Sequence, residues 1–172
     1  YYTMKRLCLR LNLSSRSYLS GPRQFSTDVP RFEIAKAVHL LSCPSMSKRI
    51  KLIDVRSPLE FAKGHIPGAI TLPLMDDHAR KEVGTTYKKK GRFAAIQVGL
   101  SHVGPKLPKL IQCIKEEHKF EPNDDNQLLI YCSRGGMRSE SIGWLLSLCG
   151  YKSAVLNKGY KSFRGHVVSS LD

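Results

Sequence analysis

A parallel α/β sheet with helices on both faces is the fold this 172-residue chain predicts, on three observations. Short apolar runs at Ile50 to Val55 and Leu128 to Tyr131 have the length and flanks of buried strands. Segments with apolar residues at helical spacing lie between such runs, and that alternation is the pattern of a parallel sheet. With 41% hydrophobic residues, a chain of this length can bury one good core.

The elements follow in order. From Arg31 to Leu41, Phe32, Ile34, Ala35, Val38 and Leu41 recur at helical spacing, and Pro44 ends that helix. Ile50 to Val55 is a strand. Ser57 then caps a helix with Pro58 at its first position and Glu60 in its first turn, and Gly64 closes it. His65-Ile66-Pro67-Gly68 is turn chemistry, and Ala69 to Leu72 is a second short strand. Asp76 to Lys119 is helical in pattern, with breaks expected at Gly84, Gly91, Gly99 and Gly104-Pro105. Glu121 to Asn126 is a polar loop before the strand Leu128 to Tyr131. Met137 to Leu148 has helical spacing, with Ile142, Leu145, Leu146 and Leu148 around Trp144. A strand at Ser153 to Leu156 and a helix from near Tyr160 complete the chain.

The junction of strand and helix at residues 131 to 139, Tyr-Cys-Ser-Arg-Gly-Gly-Met-Arg-Ser, carries the chemistry. In such sheets ligands bind beyond the C-terminal ends of the strands, which is where Cys132 lies. Glycine lets the loop fold tightly, so that its N–H groups converge, and the following helix adds unpaired donors and partial positive charge. Cys132 would sit in an anion-binding cradle flanked by Arg134 and Arg138. Such a setting lowers a thiol pKa from ~8.5 into the range ~3.5–7.5 and leaves a nucleophilic thiolate at neutral pH. Cys8, Cys43, Cys113 and Cys149 lack that company and read as small inert hydrophobes.

Composition narrows the setting. No apolar run is long enough to cross a bilayer, so no membrane partner is expected. Five cysteines without a CxxC pair or metal spacing suggest neither a disulfide framework nor a zinc site, and fit reduced thiols inside a cell. Residues 1 to 25 hold Lys5, Arg6, Arg10, Arg16 and Arg23, no acidic residue, and many Ser and Leu, which is the composition of an organelle transit peptide. Arg23-Gln24-Phe25-Ser26 resembles a mitochondrial processing site cut after Phe25, so residues 26 to 172 would be the mature domain in the mitochondrion. A plastid or cytoplasmic location is the alternative. Three residues precede Met4, so either Met4 is the start or the sequence is a fragment. Of the 28 Lys and Arg residues five lie in the leader, and the 23 that remain exceed the 14 acidic residues by 9. The formal charge of +14 suits nucleic acid or another polyanion, and the +9 left on the mature domain permits RNA contact.

Other motif residues read as structural. Asp54 could act as a base near the cysteine, but Asp54 capping loop amides with Arg56 bridging Glu60 is the stronger reading. His65 sits in a tight turn and reads as a satisfied structural histidine rather than a partner of Cys132. Lys88-Lys89-Lys90-Gly91-Arg92 reads as a solvated face, with a phosphate-contacting RNA patch beside Tyr87 as its rival.

Ile53-Asp54-Val55-Arg56-Ser57-Pro58-Leu59-Glu60-Phe61, followed by Gly64-His65-Ile66-Pro67-Gly68-Ala69, resembles the rhodanese domain, and the resemblance extends over residues 31 to 168. Three further stretches resemble the amino-terminal half of bacterial tRNA 2-selenouridine synthases: Leu72-Pro73-Leu74-Met75 leading into Val83-Gly84-Thr85-Thr86-Tyr87-Lys88 and Gly91, the cysteine loop with its one extra residue, and Gly159-Tyr160-Lys161-Ser162-Phe163-Arg164. The resemblance implies a rhodanese-like α/β fold and a persulfide or perselenide on Cys132. It implies that Ser133, Arg134, Gly135, Gly136, Met137 and Arg138 bind the anionic donor, selenophosphate or thiosulfate, with no bound cofactor. The acceptor would be the wobble 2-thiouridine of tRNA, with a geranylated tRNA intermediate. That family continues into a domain with a GxxxxGK[ST] phosphate loop, and none of these 172 residues matches it. Such a sequence is expected of a truncated record or of a stand-alone rhodanese.

Three alternatives stand beside tRNA selenation. One is a general thiosulfate or persulfide sulfurtransferase. A second is a phosphatase, because Cys132 and Arg138 also fit a Cys-x5-Arg loop. That family usually has His before the cysteine and a carboxylic general acid nearby, whereas Tyr131 stands here and no acid is evident. The third is a non-catalytic binding module, which the intact cysteine loop argues against.

Overall fold

The computed structural model describes residues 29–43, 47, 49–122 and 125–170. The leader expected at residues 1 to 25, Cys8 within it, and Pro44 lie outside the described residues.

In chain order the elements are β1 (Arg31–Phe32), α1 (Ile34–Ser42), β2 (Ile50–Asp54), α2 (Pro58–Ala62) and β3 (Ile70–Thr71). Then come α3 (Asp77–Val103), a 3-10 turn at Gly104–Lys106, α4 (Leu107–Glu116), β4 (Gln127–Tyr131), α5 (Met137–Leu148), β5 (Lys152–Leu156) and α6 (Gly159–Val168). Among the described residues the strands form one sheet in the order β1-β5-β4-β2-β3, with every pair parallel.

Strand β4 is central and its side chains alternate between two cores. Leu128, Ile130 and Cys132 pack with Ile53, Val55, Leu110, Ile114, Ile142 and Leu146 under α4 and α5. Leu129 and Tyr131 face the other way, onto Ala37, Ile50, Leu52, Ala154 and Leu156 under α1 and α6. Helices on both faces are thus found as expected. Cys132 follows the central strand at its C-terminal edge and packs into the first core.

The structure departs from the sequence reading at two places. Arg31 and Phe32 form an edge strand rather than the first turn of α1. Val155 N–H donates to Pro30 O at 2.8 Å and Asn157 N–H to Phe32 O at 2.8 Å, so pairing covers an otherwise open edge of β5. Within α3, the chain stays helical through Gly84 and Gly99 and breaks only at Gly91, which has φ 83° and ψ −175°. There α3 folds back as a hairpin of arms 77–90 and 92–103. Lys106 Nζ reaches Asp76 at 2.9 Å at its base, His102 Nε2 lies 2.7 Å from Glu82 Oε2, and a Cβ on Gly99 would meet Val83 at 3.8 Å. Contact between the arms offsets the roughly 1 kcal/mol that each helical glycine costs.

The two glycines should therefore respond oppositely to alanine. Gly91→Ala forces a side chain into backbone space that only glycine occupies freely and should cost about 1–3 kcal/mol in urea denaturation. Gly99→Ala adds a methyl in ordinary contact on a helix and should be neutral or stabilising by up to about 1 kcal/mol. Equal losses for both would contradict the hairpin.

Candidate active site

The loop from Cys132 to Gly136 is shaped from outside by the first turn of α6. Tyr160 N–H donates to Cys132 O at 2.9 Å and Lys161 N–H to Ser133 O at 3.0 Å. With those two carbonyls turned outward, the N–H groups of the same peptides, Ser133 and Arg134, turn the other way. Arg134 and Gly136 give backbone hydrogen bonds to the Cys132 thiol. Gly135 (φ 63°) and Gly159 (φ 55°) make this approach possible. A Cβ on Gly135 would lie 2.6 Å from Leu156 O and from Lys158 N, and one on Gly159 would strike Cys132 O. Arg31 adds a brace from the edge strand, pairing with Glu140 and donating to Gly135 O at 3.4 Å.

Cys132 is 4% exposed, so its thiol is almost entirely withdrawn from water. Burial alone pushes the thiol up. The Ser139 hydroxyl, which donates to Sγ at 3.3 Å, the two loop N–H groups and the charge of Arg138 outweigh it. The thiol therefore lies below its ordinary pKa, in the direction the sequence indicates. By contrast, burial and the Glu117 carboxylate push the Cys113 thiol up, as an inert cysteine requires.

Gly136 precedes the first turn of α5, and Met137 and Arg138 open that helix. Met137 is 46% exposed beside the mouth, and Arg134 is exposed on the loop. Arg138 is held inward. Its Nη1 lies 2.6 Å from Glu60 Oε2 and its Nη2 lies 3.3 Å from Oε1, with Ser133 Oγ 3.1 Å away. Ser133 Oγ also donates to Glu60 Oε1 at 2.7 Å. Glu60 closes the capping box of α2 by accepting from Ser57 N–H at 3.2 Å, and Arg80 approaches from the hairpin at 3.6 Å. Burial raises the Glu60 pKa, but the bonds and charge of Arg138, with Ser133 and Ser57, bring it from 4.5 to about 2.

The expected bridge from Arg56 to Glu60 is corrected by this arrangement. Arg56 instead pairs with Asp54, Nη2 to Oδ2 at 2.6 Å and Nε 3.0 Å from each carboxylate oxygen. It also donates to Gly64 O at 2.7 Å and lies 4.1 Å from the Tyr160 ring centroid. The pair is buried between β2, β4 and α6, where a guanidinium fork satisfies both carboxylate oxygens. Asp54 also accepts from Arg56 N–H at 2.9 Å, the amide-capping role expected of it. His65 stacks on Phe61 at 3.8 Å with Nδ1 3.2 Å from Phe61 O, which is a structural role.

Two residues of the site were not singled out from sequence. Ser139 stands seven positions after Cys132, in the first turn of α5, and a turn that close to a helix start returns a side chain toward the preceding strand end. Glu60 was legible as half of a capping box, but its partner lies 78 residues away.

A model of the rhodanese-like domain family matches residues 37–166. The tRNA 2-selenouridine synthase of Pseudomonas fluorescens is 42% identical over 123 residues, which is 70% of this chain and 32% of that protein. The enzyme of the same name from Psychromonas ingrahamii is 33% identical over 146 residues, 85% of this chain and 37% of that protein. The chain thus spans about a third of the length of these curated relatives. Among solved structures, the N-terminal domain of a proposed ATP/GTP-binding protein from Clostridium difficile superposes with a TM-score of 0.67 at 36% identity, covering 80% of this chain and 98% of that one.

Two outcomes follow from the geometry. Glu60→Gln should cost about 2 kcal/mol of unfolding free energy at pH 7, because Arg138 loses a charged partner in a part-buried site. The carboxylate's folded pKa is depressed, so its contribution is complete above 4.5 and is lost as pH falls toward about 2. Parent and variant should therefore converge over that interval in denaturation titrations. Ser139→Ala should raise the midpoint of the pH profile for alkylation of Cys132, read by peptide mass after iodoacetamide. An unchanged midpoint would mean that the hydroxyl does not stabilise the thiolate.

Proposed function

The chain belongs to the rhodanese-like domain family, and on that premise we propose that it transfers sulfur or selenium through Cys132 toward the wobble 2-thiouridine of tRNA. The observation that carries this reading is a buried thiol whose pKa is lowered rather than raised, at the focus of inward N–H groups. Identity of 42% to a tRNA 2-selenouridine synthase over this region supplies the acceptor class.

The first half-reaction follows from the site. The Cys132 thiolate attacks the outer sulfur of thiosulfate, and a new S–S bond forms on Sγ. The donor's S–S bond breaks, and sulfite leaves with the electron pair. The terminal sulfur of the persulfide keeps the negative charge it carried in thiosulfate, and the N–H groups of the loop can hold it there. Selenophosphate carries selenium at the selenide level, so selenium enters by exchange: water cleaves the P–Se bond to give phosphate, and the selenide displaces the outer sulfur of the Cys132 persulfide as hydrogen sulfide, leaving a perselenide on Sγ. Arg134, exposed on the loop, would meet the incoming anion. Arg138 is engaged by Glu60, so it acts through its charge on the sulfur rather than through a free guanidinium face. Met137, exposed at the start of α5, and Ser133, Gly135 and Gly136 would complete the loop that faces the donor.

Intact-mass measurement after treatment with thiosulfate, alone or followed by selenophosphate, tests the proposal. A gain of one sulfur or selenium should appear on the parent chain and be abolished by Cys132→Ser. No adduct, together with turnover of an aryl phosphate, would establish the phosphatase alternative instead.

A further inference from the structure

The hairpin of α3 presents a feature that its packing does not explain. Arm 77–90 rises from the sheet edge by about 20 Å at 1.5 Å per residue. Around the turn at Gly91 stand Lys88, Lys89, Lys90 and Arg92, all exposed, with Tyr87 at 59% and Phe93 at 73% exposure. No Asp or Glu occurs from Val83 to Lys115. Among the described residues none of the four cations has a side-chain hydrogen bond or ion pair.

Helix electrostatics accounts for part of this and fails on the rest. Three lysines in the last turn of arm 77–90 complement the negative end of that helix. Arg92 opens arm 92–103, where a cation faces the positive end and is unfavourable. Four cations within five residues also repel one another. Phe93 gains nothing from pointing into water. Clustered cations with flanking aromatic faces are, however, the combination that holds single-stranded nucleic acid: the cations track phosphates and the rings stack on unpaired bases.

The base of the hairpin joins the active site. Arg80 lies 3.6 Å from Glu60, Asp77 Oδ1 accepts from Leu59 N–H at 3.0 Å, and Glu60 holds Arg138 of the cysteine loop. A polyanion gripped at the tip is therefore about one arm's length, roughly 20 Å, from the hairpin base that contacts Glu60.

We propose that the α3 hairpin tip is an RNA-binding element. Lys88, Lys89, Lys90 and Arg92 grip the phosphate backbone, and Tyr87 and Phe93 stack on unpaired bases of the tRNA whose wobble uridine reaches Cys132. The inference rests on the tRNA reading above and adds the surface that engages it.

The test is fluorescence anisotropy of a labelled tRNA with the whole chain, with salt raised from about 50 to about 200 mM. The parent is compared with a Lys88→Ala/Lys89→Ala/Lys90→Ala variant and a charge-matched Lys36→Ala/Lys109→Ala/Lys115→Ala control. The tip variant should lower the slope of log affinity against log salt by about 2 to 3, and the control by less than about 1. Phe93→Ala should weaken binding about tenfold at constant slope. The hairpin assignment is overturned if both triple variants lose equal slope, if neither changes, or if the parent binds no tRNA. It is also overturned if the tip variant loses only binding to anionic phospholipid vesicles. In each case a sulfur adduct on Cys132 of the same parent sample leaves the transferase reading standing, while its absence sinks that reading independently of the hairpin.

Discussion

Everything in the active site depends on two hydrogen bonds from the start of α6 to the carbonyls of Cys132 and Ser133. A peptide group has two ends, so fixing a carbonyl outward fixes an N–H inward. Without that clamp the loop could turn carbonyl oxygens toward the sulfur, which would raise the thiol pKa rather than lower it. The clamp requires backbone-to-backbone approach, and Gly135 and Gly159 permit it where any Cβ would collide with loop backbone. Gly159-Tyr160-Lys161 is thus part of the cysteine site although it lies 27 residues beyond Cys132 in the chain. Its Tyr160 ring also covers the Arg56 guanidinium, so the same short segment fixes the loop and roofs the buried ion pair.

The two arginine–carboxylate pairs divide the work by depth. Asp54 and Arg56 are both nearly inaccessible, and their mutual saturation ties β2 to the turn at Gly64 beneath the site. Breaking such a buried pair leaves an uncompensated charge, whereas intact it serves chiefly to specify geometry. Glu60 and Arg138 lie closer to solvent and join three segments distant in sequence: α2, the cysteine loop and the hairpin base. Because Glu60 is held as a carboxylate down to about pH 2, it anchors Arg138 across any physiological condition. The charge felt by Cys132 is correspondingly constant.

Much of the fold was legible because strand and helix periods are local. Helix α5 has the bounds its apolar spacing indicated, and β4 and β5 fall within a residue of their apolar runs. The misplaced pieces are those decided by distant chain. Arg31 and Phe32 have helical neighbours but are claimed by the open edge of β5. Gly84 and Gly99 read as breaks until the second arm of the hairpin packs against the first. The cysteine loop was visible in its composition, since cysteine, paired glycines and arginines crowd a strand-to-helix turn. Spacing alone could not choose between Arg56 and Arg138 as partner of Glu60. A residue four positions away along the chain is the obvious guess, yet Arg56 is turned inward to Asp54, and only the fold brings α5 to α2.

Loop length by itself fits either a phosphate or a sulfur donor, and the state of Arg138 separates them. Binding a tetrahedral phosphate in a Cys-x5-Arg loop calls for a guanidinium fork turned to the ligand. Here both terminal nitrogens of Arg138 are engaged by Glu60 and Ser133, so a phosphate would have to displace a carboxylate already held at close range. Sulfur transfer makes a weaker demand. The nucleophile must be ionised, the leaving group must be a stable anion, and the terminal chalcogen must find N–H donors. Arg134 and Gly136 N–H groups already meet the sulfur, and the charge of Arg138 favours its ionised form without direct contact. The same cysteine loop that could serve two chemistries by spacing is, with its arginine committed elsewhere, built for the one that needs charge nearby rather than a free fork.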